Sequence, residues 1–293
     1  LVNLGMGKNI GLVWLKDDFR LKRNFALIEA TKNHDQVVAF YLYKKKKLQS
    51  QEAQKWWISK SLEKFEKKLE EFNIKIEIIK TDSYKNFFEK LFDRDNFSIY
   101  WNKTYEPQYL KFDQYLIKKF CAKNTKYKIF KGNVLNEFIE VKKGDGTPFK
   151  VFTPFWRNAE KFYLEKIPSK EKKITKCKKK VSFFKKTISF SDIFPKTKWY
   201  KKFDKYWSPS EEDAHKELNI FIKNKIENYS DSRNIPSVLG TSRLSPFIKH
   251  GQIHVETIWE KCIKFKKKGV NKFLAEIGWR EFNHSLINFF PHM

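Results

Sequence analysis

The stretch Ile10-Gly-Leu-Val-Trp-Leu15, followed by Lys16-Asp-Asp-Phe-Arg20, decides the fold class of the first half of the chain. A short apolar run that ends in a polar turn is typical of a strand buried on both faces of a parallel sheet. The turn contains no glycine, so it lacks the fingerprint of an ordinary dinucleotide-binding domain. Arg20 could bind an anion at the carboxyl edge of the sheet, or pair as a surface arginine with Asp17 or Asp18.

Similar apolar runs recur along the chain and alternate with helical patterns. Further strands are predicted at 37–43, 74–79, 97–101 and 127–130, and helices at 25–31, 51–72, 83–92 and 107–121. Strands that alternate with helices through short connections predict a doubly wound parallel sheet, here of five strands. We therefore expect an α/β domain over residues 1–135.

The second half of the chain has a different pattern. A turn-rich segment at 142–148 and an aromatic cluster at 149–156 lead into a Lys-rich stretch of weak periodicity, which indicates a connector over residues 136–210. Beyond it the spacing is helical at 212–229, 246–250, 255–265 and 271–290. This pattern predicts an all-α domain over residues 211–293.

The charge of the chain has two interpretations. Its 293 residues carry 61 Lys and Arg against 34 Asp and Glu, which gives a net charge of +27, and 17% of them are aromatic. A basic chain with interleaved aromatic residues is typical of proteins that bind nucleic acid. A general lysine bias explains the charge equally well, because few of the cations are arginines and lysine runs are usually solvated faces.

Cysteine usage and hydropathy favour a cytoplasmic protein. Cys121, Cys177 and Cys262 lie far apart, so the sequence indicates neither a disulfide framework nor a zinc site. His250 and His254 stand four apart without a third ligand nearby, and no metal site is expected. No apolar run has the length of a membrane span, and the amino terminus lacks a signal-peptide pattern.

Two polar motifs stand out in the second domain. Tyr229-Ser-Asp-Ser-Arg233 is followed by Gly240-Thr-Ser-Arg-Leu-Ser-Pro246, in which hydroxyls and a glycine precede a proline, as in a phosphate cradle. The alternative is a simple helix cap, with Ser245 as N-cap and Pro246 in the first helical position. Glu276-Ile-Gly-Trp-Arg-Glu-Phe282 places a carboxylate, an indole and a guanidinium within about one turn. Together the motifs predict a cofactor phosphate near a polar, aromatic pocket.

Five stretches resemble the DNA photolyase/cryptochrome family in order and relative position, most closely the photolyases that act on cyclobutane pyrimidine dimers. They are Val13–Leu21, Trp56-Trp57 with the helix after it, Gly144–Trp156, Thr241–Pro246 and Gly278–Phe282. The resemblance implies an α/β antenna domain, a long connector and a helical domain that binds FAD. It covers nearly the whole chain. Because the sequence begins with Leu and stops just after the last motif, we expect a fragment truncated within the FAD-binding domain.

The resemblance also implies roles for single residues. The residues that would contact FAD are Tyr229, Thr241, Ser242, Arg243, Leu244, Ser245 and Phe273, the last at a position where the family often has Trp. The residues that would line the cavity for damaged DNA are Arg233, Glu276, Trp279, Arg280 and Asn283. Of these, Glu276 and Trp279 would be catalytic: Trp279 would stack on a flipped-out pyrimidine dimer, and Glu276 would hydrogen-bond its bases.

The implied activity is light-driven repair of cyclobutane pyrimidine dimers by electron transfer from reduced FAD, and the fragment is expected to be inactive alone. UV-damaged DNA would be the partner of a monomer that joins the nucleoid when bound. A second antenna chromophore, folate or deazaflavin, is implied, although Gln108 and Tyr109 depart from the family's folate-binding pair. The alternatives are a cryptochrome-type blue-light photoreceptor and a flavin-free basic fragment that binds nucleic acid weakly.

Overall fold

The computed structural model describes residues 9–44, 51–165 and 172–292. Residues 1–8 and 45–50 of the predicted first domain, 166–171 of the predicted connector, and Met293 lie outside the described residues. Contacts divide the chain into two compact units. The sheet unit comprises the chain up to Lys103, Phe112–Phe130 and Lys172–Ser210, and the helical unit comprises Thr104–Lys111, Lys131–Glu171 and Glu211–Met293.

The sheet unit contains the predicted five-stranded parallel sheet. Its strands are β1 Ile10–Leu15, β2 Val37–Tyr43, β3 Lys75–Lys80, β4 Phe97–Asn102 and β5 Tyr127–Phe130. They lie in the order β3-β2-β1-β4-β5, and all four neighbouring pairs are parallel. The helices between them are α1 Phe25–Asn33, α2 Glu52–Glu70, α3 Tyr84–Phe92 and α4 Pro107–Ala122. The predicted fold class of this part is therefore confirmed.

Strand β1 lies at the centre of the sheet because it is apolar on both faces. Val13 and Leu15 point into a core formed with α1 and α2, which contribute Leu27 and Leu62 among others. Leu12 and Trp14 point into the opposite core. There they pack with Phe88 of α3 and with Leu116 and Phe120 of α4. Side chains alternate along a strand, so one short apolar run serves both helical layers.

The polar turn after β1 forms a buried network at the carboxyl edge of the sheet. Asp18 accepts hydrogen bonds from the side chain of Asn102 at 2.8 Å and from the amide of Lys16 at 2.9 Å. Arg20 is only 1% exposed and donates to the carbonyl of Arg23 at 3.1 Å. The interpretation as a surface arginine is wrong, because Arg20 is buried; its charge nevertheless acts on Asp18, where it partly offsets the burial that raises the pKa of that carboxyl. The anion-binding interpretation stays a prediction.

The segment predicted as a connector is divided between the two units. Its part from Lys172 to Ser210 belongs to the sheet unit. Ile188 forms an isolated antiparallel bridge with Ile78 of β3. The buried Glu77, also in β3, accepts hydrogen bonds from the backbone amides of Phe183 and Phe184 at 3.1 and 2.8 Å. A short helix, α6 Lys201–Tyr206, follows in this part. The domain limits 1–135, 136–210 and 211–293 stay a prediction.

The helical unit is built from α5 Phe152–Glu165, α7 Glu211–Asn224, α8 Tyr229–Ser232, α9 Ser245–Lys249, α10 Val255–Cys262 and α11 Val270–Phe289. No strand occurs among its described residues, which confirms the all-α prediction. Helix α5 was not predicted, because its aromatic residues fall in a segment assigned to the connector. The pattern predicted as one helix at 212–229 is divided into α7, a 3-10 turn at Ile226–Asn228, and α8. Among the described helices, none is long and apolar enough to span a bilayer.

Candidate functional site

The candidate site of the helical unit is organised by α11 and its contact with α5. A Cβ atom at Gly278 would lie 2.3 Å from the ring of Trp156, a distance that real side chains do not tolerate. The missing side chain therefore allows the α5 ring to lie directly on the α11 backbone. This contact joins two of the motifs on which the family resemblance rests, the aromatic cluster at 149–156 and the stretch Gly278–Phe282.

Trp279 lies next to this contact and is only partly covered. Its ring stacks on Phe152 of α5 with the centroids 3.8 Å apart and the planes inclined by 8°. Phe282 meets Trp279 edge to face at 5.9 Å. Even so, 42% of Trp279 is exposed, which is unusual for an indole in an aromatic cluster. An exposed, rigidly held indole can receive a further planar ring by stacking.

The first turns of α11 pack on α8 through aromatic side chains. Phe273 lies 5.3 Å from the ring of Tyr229 and 4.5 Å from that of Phe221 in α7. Both predicted FAD contacts in this group, Tyr229 and Phe273, are buried. Burial raises the pKa of Tyr229, so its hydroxyl stays protonated at neutral pH.

Arg233 follows α8 directly and forms an ion pair with Glu276 of α11. Lys272, one turn earlier on α11, lies 3.4 Å from the same carboxylate. Burial would raise the pKa of Glu276, but the hydrogen bond and charge of Arg233, together with Lys272, hold it below its ordinary value. Glu276 is therefore ionised at neutral pH and half-buried, beside two cations.

The loop 240–245 is fixed against α8 by a second close approach. A Cβ at Gly240 would lie 2.4 Å from the Oγ of Ser232, so no larger residue fits there. Arg243 adopts a left-handed backbone with φ of 57°, which is rare for a residue other than glycine. The hydroxyls of Thr241 and Ser245 belong to exposed residues, and no carboxylate occurs in this loop.

Helix α9 begins one residue earlier than the cap interpretation required. Leu244, not Ser245, occupies the N-cap position, and its amide donates to the Oγ of Ser242 at 3.3 Å. Ser245 is thus free of a capping role. Since α9 has only five residues, its dipole adds little for an anion, and the hydroxyls of the loop are the relevant donors.

The remaining predicted site residues on α11 point to different surroundings. Arg280 donates to the carbonyl oxygen of Asn133 at 2.6 Å and lies 3.3 Å from the Oε1 atom of Glu281. Its guanidinium holds α11 against the segment around Asn133. Asn283 is exposed one turn further along. The structure therefore brings Arg233 and Glu276 together, and Tyr229 with Phe273, but engages Arg280 elsewhere.

The sequence did not single out a role for the buried Glu281 or for the half-buried His284. Glu281 is 4% exposed, and its Oε2 accepts the amides of Leu135 and Asn136 at 2.9 and 3.2 Å. Desolvation raises the pKa of Glu281 to about 7, despite the neighbouring Arg280. Burial lowers the pKa of His284 to about 3, so this ring is neutral. The only signal for Glu281 in the sequence was its place inside the motif Gly278–Phe282, where it takes a position that faces the interior of the helical unit.

These two side chains line a cavity of about 10 Å³ together with Asn136, Tyr105 and Phe155. The space suffices for one water molecule. Within the described residues, the Nε2 atom of His284 and the Oδ1 atom of Asn136 are buried without a protein hydrogen-bond partner. A single water would satisfy both atoms.

His254 has a structural role in this unit. Its Nδ1 accepts the amide of Glu256 at 3.2 Å and caps α10, while Nε2 donates to the carbonyl of Gly132 at 3.1 Å. Both ring nitrogens of His254 are thus engaged. Over the described part of the chain, no group of three or more His, Cys, Asp or Glu side chains could hold a metal ion.

The chain is similar to known proteins over nearly its whole length. The family model described as DNA photolyase matches residues 11–172. A deoxyribodipyrimidine photo-lyase from Agrobacterium fabrum is 27% identical over 286 residues, which are 96% of this chain and 60% of that protein. Cryptochrome-2 from Arabidopsis thaliana is 23% identical over 96% of this chain and 49% of its own length.

Solved structures give the same picture. A bacterial class III photolyase from Agrobacterium tumefaciens superposes with a TM-score of 0.85 at 26% identity, covering 99% of this chain and 61% of that one. An archaeal photolyase from Sulfolobus tokodaii, solved with two FAD molecules, superposes with a TM-score of 0.73 at 17% identity over 97% of this chain and 60% of that one, a likeness of fold alone. The chain thus spans about three fifths of the length of these photolyases.

Proposed function

The chain belongs to the DNA photolyase family, and from that premise we propose that the protein repairs cyclobutane pyrimidine dimers in DNA by light-driven electron transfer from FAD. The observation that carries the proposal is the arrangement along α11. There an ionised Glu276, held by Arg233, is followed one turn later by the partly exposed Trp279. The activity, substrate and partner are proposed by similarity to photolyases of which this chain spans about three fifths of the length.

The residues of the loop 240–245 fit the diphosphate of FAD. Thr241, Ser242 and Ser245 offer hydroxyl donors, Arg243 contributes positive charge, and the loop lacks carboxylates that would repel an anion. Gly240 holds the loop on α8, whose Tyr229 packs on Phe273. We therefore assign Tyr229, Thr241, Ser242, Arg243, Leu244, Ser245 and Phe273 to one wall of the cofactor site. Bound in its reduced form, FAD would supply the photoexcited electron that splits the cyclobutane ring.

The residues of α11 would receive the lesion. The open side of the Trp279 ring would stack on a pyrimidine dimer taken out of the duplex, which costs less energy for a damaged pair than for a healthy one. Glu276 would hydrogen-bond the N–H groups of the dimer, and Arg233 would hold the carboxylate in position and ionised. Asn283 and Arg280 would lie along the same helix beside the DNA, although Arg280 acts first as a tie to Asn133.

We further propose that the protein acts in the cytoplasm as a monomer and lies on the nucleoid when bound to DNA. The high positive charge, +27, favours rapid association with DNA and makes it sensitive to salt. A second, light-harvesting chromophore, folate or deazaflavin, remains part of this proposal.

The test is a light-dependent repair assay with the longest reading frame that contains this chain. Purified protein should show a flavin absorption band, and blue light should remove thymine dimers from an oligonucleotide that is left unchanged in the dark. Glu276→Ala should lower the number of dimers split per absorbed photon. The matched control is Glu227→Ala, which removes an exposed carboxylate elsewhere in the helical unit and should leave the yield unchanged.

A cryptochrome-type photoreceptor is the second candidate, favoured by the similarity to cryptochrome-2. A flavin band without light-dependent loss of dimers would support it and contradict repair. Weak, salt-sensitive binding to any DNA without a flavin band would instead indicate a basic, flavin-free protein. An unchanged yield in Glu276→Ala would remove the catalytic role of that residue and leave the family assignment intact.

A further inference from the structure

The sheet unit contains a second concave site, at the edge of the sheet where the strands begin. A pocket of about 750 Å³ lies there, and we name it the amino-edge pocket. Asn9 precedes β1, Gln36 precedes β2, Ser98 lies at the start of β4, and Lys126 precedes β5; all four residues line the pocket. It lies at the edge opposite to the buried network of Asp18 and Asn102.

We propose that the amino-edge pocket binds a small phosphorylated molecule of about the size of a nucleoside diphosphate. The inference rests on the charge, the hydrogen-bonding groups and the size of the pocket. It does not depend on the proposed repair function.

The charge of the rim is strongly positive. Lys32 comes from the last turn of α1, Lys126 from the loop before β5, and Lys176 and Lys178 from the Lys-rich stretch that packs on the sheet unit. The lining carboxylate is that of Asp35, which Lys178 neutralises at 2.8 Å. Lys32, Lys126 and Lys176 therefore remain as a net positive group. Cations that converge from three separate elements attract an anion more strongly than a solvated lysine run.

The floor of the pocket is polar and uncharged. The Nδ1 atom of His34 donates to the carbonyl of Asn9 at 2.9 Å, so Nε2 is the acceptor for the hydroxyl of Tyr100, also at 2.9 Å. Burial lowers the pKa of His34 and raises that of Tyr100, and both side chains stay neutral near pH 7. The buried hydroxyl of Ser98 accepts a hydrogen bond from the side-chain amide of Asn9 at 3.2 Å. Neutral groups held in this way suit the hydroxyls of a sugar.

The size of the pocket favours a small molecule over a nucleic-acid strand. A volume of 750 Å³ falls within the range of about 300–1,000 Å³ that is typical of small-molecule sites.

The carboxyl-terminal end of α1 also faces the pocket, and its dipole opposes an anion. A single weak negative charge would gain little against that dipole, whereas two phosphate groups can engage several lysines at once.

Calorimetric titration of the full chain with ADP and with inorganic pyrophosphate tests the proposal. The pocket variant is Lys126→Gln with Lys176→Gln. The loss of two ammonium groups should make the double variant bind ADP about tenfold more weakly, which corresponds to about 1.4 kcal/mol. The control, Lys90→Gln with Lys118→Gln, removes the same charge from exposed lysines of α3 and α4 outside the pocket. Its affinity for ADP should change less than about twofold, because screened distant charges contribute little.

Three outcomes would overturn the proposal. ADP and pyrophosphate could fail to saturate at one site, or both double variants could weaken binding equally, which would indicate the net charge alone. A single-stranded oligonucleotide that loses affinity only in the pocket variant, without saturable binding of ADP, would assign the lysines to nucleic acid. All titrations are made in the dark with undamaged ligands, so their result is separate from that of the repair assay.

Discussion

Arg233, directly after α8, forms an ion pair with Glu276 in the second turn of α11, and each side chain is 26% exposed. The two paired residues lie 43 positions apart in the chain. Because both groups are partly solvated, we expect a coupling free energy of up to about 1 kcal/mol between them.

A double-mutant cycle with Arg233→Ala and Glu276→Gln, read by urea unfolding, measures this coupling. The control is the cycle of Lys161 and Glu165, an exposed pair on α5, whose coupling should be close to zero. Equal coupling in the two cycles would show that the Arg233–Glu276 pair does not fix α8 on α11.

Gly278→Ala should destabilise the helical unit. In a solvated helix this change would stabilise the protein by about 1 kcal/mol, because alanine is the better helix former. Here the new methyl group would lie 2.3 Å from the Trp156 ring, and overpacking should lower the free energy of unfolding by about 1–3 kcal/mol. Gly144→Ala, where no atom lies within 4 Å, is the control and should be nearly neutral. A more stable Gly278→Ala variant would contradict the close contact.

Glu281 should make the stability of the protein depend on pH. Burial raises its pKa to about 7, whereas a glutamate in the unfolded chain has a pKa of about 4.3. Between these values the folded state holds a proton that the unfolded state has released. The stabilisation is therefore complete below about pH 4.3 and is lost as the pH rises through about 7, by an amount on the order of 3 kcal/mol.

The measurement compares the wild type with Glu281→Gln from pH 5 to 8. The free energy of unfolding of the wild type, relative to that of the variant, should fall over this range and level off above it. The half-buried His284, whose pKa desolvation lowers to about 3, acts in the opposite direction and destabilises the fold as the pH falls below about 6.5. Because His284 is present in both proteins, the comparison isolates Glu281. A constant difference across the range would mean that the carboxyl group is not desolvated.

Trp279→Ala should weaken binding to dimer-containing DNA without unfolding the protein. Loss of one stacking contact costs about 1–3 kcal/mol, which is a factor of roughly 5 to 150 in affinity. An undamaged oligonucleotide, bound mainly through phosphates, should lose much less. Ile287→Ala, which truncates another exposed apolar residue of α11, is the control and should leave both affinities unchanged. Equal losses for damaged and undamaged DNA would remove the stacking role.

The sequence predicted elements best where the apolar pattern is strong, as a continuous run in a strand or as helical spacing. The apolar runs Ile10–Leu15 and Val37–Tyr43 form β1 and β2 with these limits, and central strands of this kind are apolar throughout because both of their faces are buried. Helices of the second half were predicted by their apolar spacing. Helix α5 was missed because its aromatic residues lie beside a Lys-rich stretch of weak periodicity, and packing on α11 defines its apolar face.

The sequence by itself therefore determined the alternation of strands and helices, the all-α second half and the motifs that carry the family resemblance, because hydrophobic period and residue type are local properties. Only the tertiary structure decided that Arg20 is buried, that Arg233 meets Glu276, that Arg280 binds Asn133 and that Glu281 is desolvated. Each of these depends on which distant backbone lies opposite a side chain. The contacts that the fold provides therefore decide whether a charged side chain stays at the surface, holds two segments together or has its pKa shifted by burial.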